Sequence, residues 1–264
     1  MTLRGVPVLH YDGLGTSLPP DVNVRFASHW VTPVSLGRQL VSIREGGYRV
    51  VRLYDAWARR GHGDQPDQTP VVLTFDDGRA ADYEVAFPIL LAAGMRAEFF
   101  INTSRVGQFG YLTWSRISEM RRAGMSFQSH SHAHGALTAL PPRLLRSEIR
   151  ISKRVIEDRI GRGVDFLAAP LGLIDRRVVD EVQEAGYKAV CAAGGWPAQP
   201  RGAVVNRVTV FRDTSETQFG AILARETRGY LPGVTRALRT RFLHRIALKL
   251  RPPELDGQVW PQST

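Results

Sequence analysis

Apolar runs of strand length alternate with amphipathic stretches of helical period along most of this chain. Strands are predicted near 6–11, 48–53, 70–76, 96–101, 125–129, 164–169, 187–192 and 205–210. Helices are predicted near 34–46, 80–93, 114–123, 142–160, 174–185, 214–226 and 233–250. The clearest helix opens after Pro141-Pro142. It carries Leu144, Leu145, Ile149, Ile151, Val155, Ile156 and Ile160 at mostly helical spacing and stops at Gly161. Thr113 is placed to cap another, with Trp114 packing at its start. Segments 54–70 and 193–205 read as loops containing Gly and Pro. Seven or eight strand–helix units imply an α/β architecture: a parallel sheet with helices outside, closed or nearly closed into a (β/α) barrel. Catalytic groups of such a barrel gather at the C-terminal ends of its strands.

Composition adds bounds. A chain of 264 residues, 43% hydrophobic and 23% charged, is an ordinary globular protein with room for one full core. The expected division is a barrel domain over 1–228 and a basic helical tail over 229–264. The single cysteine, Cys191, excludes an intrachain disulfide and reads as a buried strand residue. The N-terminus runs directly into the first strand without a signal-peptide core, and no apolar run reaches the ~18–20 residues of a membrane span. A cytoplasmic location is therefore expected.

The net charge is +10, with Arg236, Arg239, Arg241, His244, Arg245, Lys249 and Arg251 grouped near the C-terminus. No recognition motif accompanies this charge, so nucleic acid is not an expected partner. The 233–250 segment brings Val234, Leu238, Phe242, Ile246 and Leu250 to one face. Such a helix can dock on the barrel or lie on an anionic membrane as a peripheral contact.

The chemistry concentrates in two places. The strand-like run Val71-Val72-Leu73-Thr74-Phe75 ends in Asp76-Asp77-Gly78, and farther along stands His130-Ser131-His132-Ala133-His134. An Asp-Asp-Gly alone is commonly a turn, and a histidine run alone is commonly a solvated loop. Together, each at the end of an apolar run, they offer one Asp and two His to a divalent ion with an open coordination position. The other Asp is left free to act as a base. That pairing points to metal-assisted hydrolysis.

At these residues the chain resembles the polysaccharide deacetylases, the NodB-homology group of carbohydrate esterases. Thr74-Phe75-Asp76-Asp77-Gly78 matches the family's first motif, and His130-Ser131-His132-Ala133-His134 its second. Val6-Pro7-Val8-Leu9, Gly47-Tyr48-Arg49-Val50-Val51, Ala97-Glu98-Phe99-Phe100-Ile101, Leu112-Thr113-Trp114, Ala123-Gly124 and Ala185-Gly186-Tyr187 follow in family order, so the likeness spans roughly residues 5–225. The resemblance implies a distorted TIM-like barrel and removal of N-acetyl groups from amino-sugar-containing glycan. The partner would be an N-acetylated glycan or a lipid-linked glycan precursor.

The same resemblance implies Asp77, His130 and His134 as ligands of a divalent metal, with Zn²⁺ the first choice, and Asp76 as the general base. His132 is the replacement should one ligand fail. Gly78 is expected to let the chain turn beneath the substrate.

Two family features do not match. Phe166-Leu167-Ala168-Ala169-Pro170-Leu171-Gly172 keeps Pro170 and Gly172 of the third motif but has Ala168 where an Arg would orient the base. That departure resembles the exopolysaccharide and poly-N-acetylglucosamine deacetylase branch. No Leu-x-His follows residue 190 to supply a general acid. His10, at the end of the first strand in Val8-Leu9-His10-Tyr11-Asp12, is the leading substitute, with Asp12, His132 and water behind it. Tyr111, Pro170 and Trp196 are candidate substrate contacts. The alternatives are hydrolysis of a non-sugar amide on the same fold, or carbohydrate binding with weak or no catalysis.

Overall fold

The structure, a computed structural model, describes residues 5–20, 22–58, 69–193, 203–231 and 235. Its strands in chain order are β1 (Val8–Tyr11), β2 (Gly13–Leu14), β3 (Trp30–Val31), β4 (Arg49–Val50), β5 (Pro70–Phe75), β6 (Glu98–Ile101), β7 (Ser126–Ser129), β8 (Phe166–Ala168), β9 (Ala189–Ala193) and β10 (Val204–Thr209). Seven of them run parallel in the order β1-β10-β9-β8-β7-β6-β5. Pairing of Val8, Leu9, His10 and Tyr11 with Val72, Leu73, Thr74 and Phe75 closes the ring. Helices α1 (Pro33–Glu45), α2 (Leu53–Ala58), α3 (Phe87–Ala92), α4 (Trp114–Arg122), α5 (Pro142–Ile160), α6 (Arg176–Glu184) and α7 (Glu216–Leu223) follow the strands. The expected (β/α) barrel is present.

Alternation along each strand divides the core in two. Val8, Val72, Phe100, Phe166, Ala168, Cys191 and Val205 form one cluster, the interior of the ring. Leu9, Tyr11, Leu73, Phe75, Phe99, Phe127, Leu167, Val190 and Val208 belong to the other, between the ring and its helices. In that outer layer Tyr11, Phe75, Phe99 and Phe127 stack in a row from four neighbouring strands, with centroids 4.9, 5.1 and 5.6 Å apart. Each such pair adds about 0.5–1.5 kcal/mol to its area burial. Toward the C-terminal ends of the strands the inward positions turn polar: His10, Thr74, Asp76, Arg207 and Thr209 are all buried.

Helix boundaries follow the local chemistry. Thr113 Oγ1 caps α4 by accepting from the Arg116 N–H, and Gly161, at φ 64°, ends α5. The helix expected over 80–93 is broken in two. Asp82–Ala86 forms a wide π-type turn before α3. Pro88 has no N–H to return to the preceding turn, and the widened backbone accommodates that loss.

The strand expected over 48–53 shrinks to Arg49–Val50, and α2 begins where a loop was expected. The buried carboxylate of Glu98 accepts from the Leu53 N–H at 3.1 Å and fixes this early turn.

One arrangement has no counterpart in the sequence reading. The chain leaves β1 and folds back through a 3₁₀ segment, Val24–His29, so that β3 pairs with β2 beside the barrel mouth. Gly13 is required there, because a Cβ would stand 2.4 Å from the Trp30 ring. Core packing continues to Tyr230, whose hydroxyl donates to the Ile222 carbonyl. The helix expected over 233–250 and Trp196 lie outside the described residues. Among the described residues no helix is long and apolar enough to cross a membrane.

Candidate active site

Strand β5 delivers two adjacent carboxylates to opposite tasks. The Asp76 N–H bonds the Tyr11 carbonyl and so continues the ladder, leaving the Asp76 side chain pointing into the barrel mouth. The chain then turns through left-handed backbone at Asp77 (φ 75°) and Gly78 (φ 69°). For Asp77 that conformation costs about 1–2 kcal/mol and is held by its surroundings. A Cβ on Gly78 would meet Ile101 Cγ2 at 2.9 Å, so the tight turn admits no side chain.

Asp76 is 3% exposed and grips a fully buried Arg207 from β10, with Nη1–Oδ1 and Nη2–Oδ2 both 2.6 Å. Burial alone would raise the Asp76 pKa. The Arg207 charge, with those of His10 and His130, overrides it and holds the carboxyl well below its ordinary range. From the sequence, no arginine is expected to orient Asp76, because Ala168 occupies the family's position for it. The arginine is present, two strands away around the barrel on β10, and that expectation is corrected.

His10 stands on the other side of Asp76. Its Nε2 is 3.0 Å from Asp76 Oδ2, and its Nδ1 is 3.0 Å from Thr209 Oγ1. The contact to Asp76 is close but not aligned as a hydrogen bond, and Nε2 has no other partner. Asp12 also reaches the mouth, 3.8 Å from His10 Nε2 and 3.1 Å from His29 Nδ1. Burial pushes Asp12 up, but His29 and the charge on His10 bring it down to about 2.

Asp77, His130 and His134 converge. The edges of the triangle are 3.0 Å (Asp77 Oδ1–His134 Nε2), 3.2 Å (His134 Nε2–His130 Nε2) and 3.5 Å (His130 Nε2–Asp77 Oδ1). Ligands about 2.0–2.1 Å from a tetrahedral ion stand about 3.3 Å apart, so the donor set fits a zinc-sized cation. The His130 Nδ1–H donates to the Ala168 carbonyl at 2.9 Å, which leaves the Nε2 lone pair facing the other donors. Burial lowers the His130 pKa despite Asp76 and favours the neutral, ligating form. Burial also lowers His134, but its hydrogen bond to Asp77 and that charge carry its pKa upward overall.

The ligand loop is clamped from behind. Ser131 and His134 adopt left-handed backbone at φ 65° and 60°. The buried Glu148 of α5 accepts two successive N–H groups through Oε2, from His132 at 3.0 Å and Ala133 at 2.8 Å. His132 turns away to Thr103 Oγ1 at 2.8 Å and stands outside the triangle. Glu148→Ala should weaken zinc binding by about 10–100-fold, the usual weight of groups that orient ligands. Glu148→Gln, which keeps the acceptor, should lose less. Zinc titration of the metal-free proteins reads this directly, and unchanged affinity in Glu148→Ala would confine Glu148 to fold stability.

These groups floor a cavity of about 390 Å³. Tyr111 lines it, as expected, though guanidinium groups cover its ring. Pro170 is buried below the surface, and its neighbours Leu171 and Gly172 reach the cavity instead. Trp196 is outside the described residues. Cys191 lies in the barrel interior with its thiol pushed up to about 12 by burial, and takes no part.

Residues 63–190 match the family profile described as polysaccharide deacetylase. YxkH of Bacillus subtilis (strain 168), whose name places it among the polysaccharide deacetylases, is 27% identical over 183 residues. The matched stretch covers 69% of this chain and 66% of YxkH, just under two thirds of that relative. The Streptococcus pyogenes deacetylase PplD superposes with a TM-score of 0.74 at 23% identity, covering 86% of this chain and all of that one. IcaB from Ammonifex degensii gives 0.70 at 21% identity, covering 85% and 98%. At these identities the superpositions establish the fold, a closed seven-stranded parallel barrel. Both motifs lie on that barrel and within residues 63–190, the part of the chain that matches the polysaccharide deacetylase (NodB-homology) domain.

Proposed function

We propose that the protein is a divalent-metal-dependent hydrolase that removes N-acetyl groups from amino-sugar residues of a glycan. One observation carries this reading: an ionised, arginine-held carboxylate, Asp76, stands between a three-donor metal triangle and a histidine with a free Nε2. A cation held by Asp77, His130 and His134 would polarise the amide carbonyl and acidify a water.

Asp76 takes a proton from that water as its oxygen attacks the acetamide carbon. Protonated His10 gives the Nε2 proton to the departing nitrogen as the carbon–nitrogen bond breaks. The two groups are 3.0 Å apart, so the proton gained by Asp76 can then pass to His10. The products are acetate and the free amine, and the pair returns to its starting state. Arg207 orients Asp76 from β10, which supports catalysis over a binding-only role, since binding sugar requires no such ion pair.

The test is acetate release from N-acetylglucosamine oligomers. Release should stop with a chelator and return with zinc. His10→Ala should lower turnover by about 10²–10⁴-fold while metal content holds. No acetate from fully metal-loaded protein on any N-acetylated oligomer would overturn the reading.

A further inference from the structure

One wall of the cavity alternates aromatic rings with guanidinium groups. The Arg79 guanidinium carbon lies 5.6 Å from the Trp30 ring centre and 4.8 Å from that of Tyr111. The Arg105 guanidinium carbon lies 5.7 Å from the same Tyr111 ring. Backbone pairing of Arg79 with Tyr111 fixes the two segments side by side. Such stacking holds an arginine in place without neutralising it.

The two arginines differ in what they face. Arg79 is turned inward, with Nε 3.6 Å from Asp77 Oδ2. Arg105 is the outer one. Among the described residues its side chain contacts only the Tyr111 ring and Gln108 Oε1, and no carboxylate neutralises it. The three carboxylates of the cavity are each engaged: Asp76 by Arg207, Asp77 by Arg79 and the histidines, and Asp12 by His29. At the outer edge, where Arg105 has no carboxylate partner among the described residues, an entering ligand meets positive charge.

We propose that this wall recognises an anionic substituent on the glycan, a carboxylate or a phosphate, with Arg105 making the charged contact. The inference rests on the deacetylase reading and names the class of glycan it acts on: an acidic one. Arg105 sits at the rim, beyond the reacting groups, so the anion belongs to a sugar or linkage next to the one that loses its acetyl group.

The experiment compares three oligomers of equal length. One is neutral N-acetylglucosamine, one alternates N-acetylglucosamine with a uronic acid, and one carries phosphodiester links. For each, kcat/KM for acetate release and affinity by calorimetry are measured at low and high salt. At least one acidic oligomer should be preferred over the neutral one by about tenfold or more. The preferred oligomer distinguishes carboxylate from phosphate. That preference should fall with salt, collapse toward one in Arg105→Gln and survive in part in Arg105→Lys.

Equal handling of neutral and acidic oligomers by the wild type overturns the proposal, as does a preference that Arg105→Gln leaves unchanged. Either result leaves deacetylation of the neutral oligomer standing. If no oligomer yields acetate, the deacetylase reading itself fails. Calorimetry then decides the anion contact: weaker binding of an acidic oligomer to Arg105→Gln upholds it, and equal binding removes it.

Discussion

Asp76→Asn should keep its metal and lose about 10²–10⁴-fold in turnover, whereas Asp77→Asn should lose the metal as well. The two residues are adjacent in sequence, but the left-handed turn at Asp77 separates their duties. Asp77 Oδ1 stands 3.0 and 3.5 Å from the two histidine Nε2 atoms. The nearest oxygen of Asp76 is 4.0 Å from His130 Nε2 and is committed to Arg207. An asparagine at position 76 can still accept from Arg207, so the barrel mouth should hold its shape. It cannot take a proton from water. Metal content and acetate release on the same preparations separate the two variants. Equal metal loss in both would show that the base and the ligand have been exchanged.

Arg207→Met should damage both stability and catalysis. Both partners are nearly or wholly inaccessible, so removing one leaves an uncompensated buried carboxylate, at a cost of about 3–5 kcal/mol near neutral pH. Asp76 can relieve part of that cost only by taking up a proton, which disables it as a base. Its folded pKa in the wild type lies below the ordinary value. The pairing therefore contributes stability above about pH 4, and that contribution is lost as pH falls toward the folded pKa. In the variant burial is left unopposed by the arginine, Asp76 rises, and the acidic limb of the rate profile should move to higher pH. Arg207→Lys keeps the charge but not the two-pronged grip, and should fall between. Unfolding curves and pH–rate profiles measure these effects. A profile and midpoint both unchanged would strip Arg207 of its role.

Much of this candidate site was legible in the residues, and the parts that were not were hidden for separate physical reasons. The Asp77–His130–His134 triangle and the neighbouring Asp76 were carried by compact motifs at strand ends, where barrel geometry gathers side chains. Arg207 lies outside the family pattern, whose position 168 here supplies a backbone carbonyl to His130. Its own signal was local. In Val204-Val205-Asn206-Arg207-Val208-Thr209, alternation puts Arg207 on the face of Val205 and Thr209, the inner face of the ring. An arginine there demands a buried anion. His29 had no such signal. Its position follows from the fold-back after β1, whose 3₁₀ turn and two-residue strands are too short to leave a period. The break before α3 was likewise hidden, because one proline changes hydrogen bonding without changing apolar spacing.

The geography of the acid–base pair has a consequence for how the molecule comes to life. Arg207, His10 and Asp76 come from β10, β1 and the end of β5, the three strands that meet where the ring closes. His10 and its partner Thr209 are 199 residues apart in sequence, and Asp76 and Arg207 are 131 apart. Contacts of such separation form late, after the entropy of long loops has been surrendered. The Asp77–His130–His134 triangle, by contrast, comes from the run between β5 and the loop after β7, and its supports, Glu148 of α5 and the Ala168 carbonyl of β8, follow soon after. The triangle and its supports can thus come together before β9 and β10 are made. The cluster of His10, Asp76 and Arg207 is complete only when the first strand is locked between the last strand and β5.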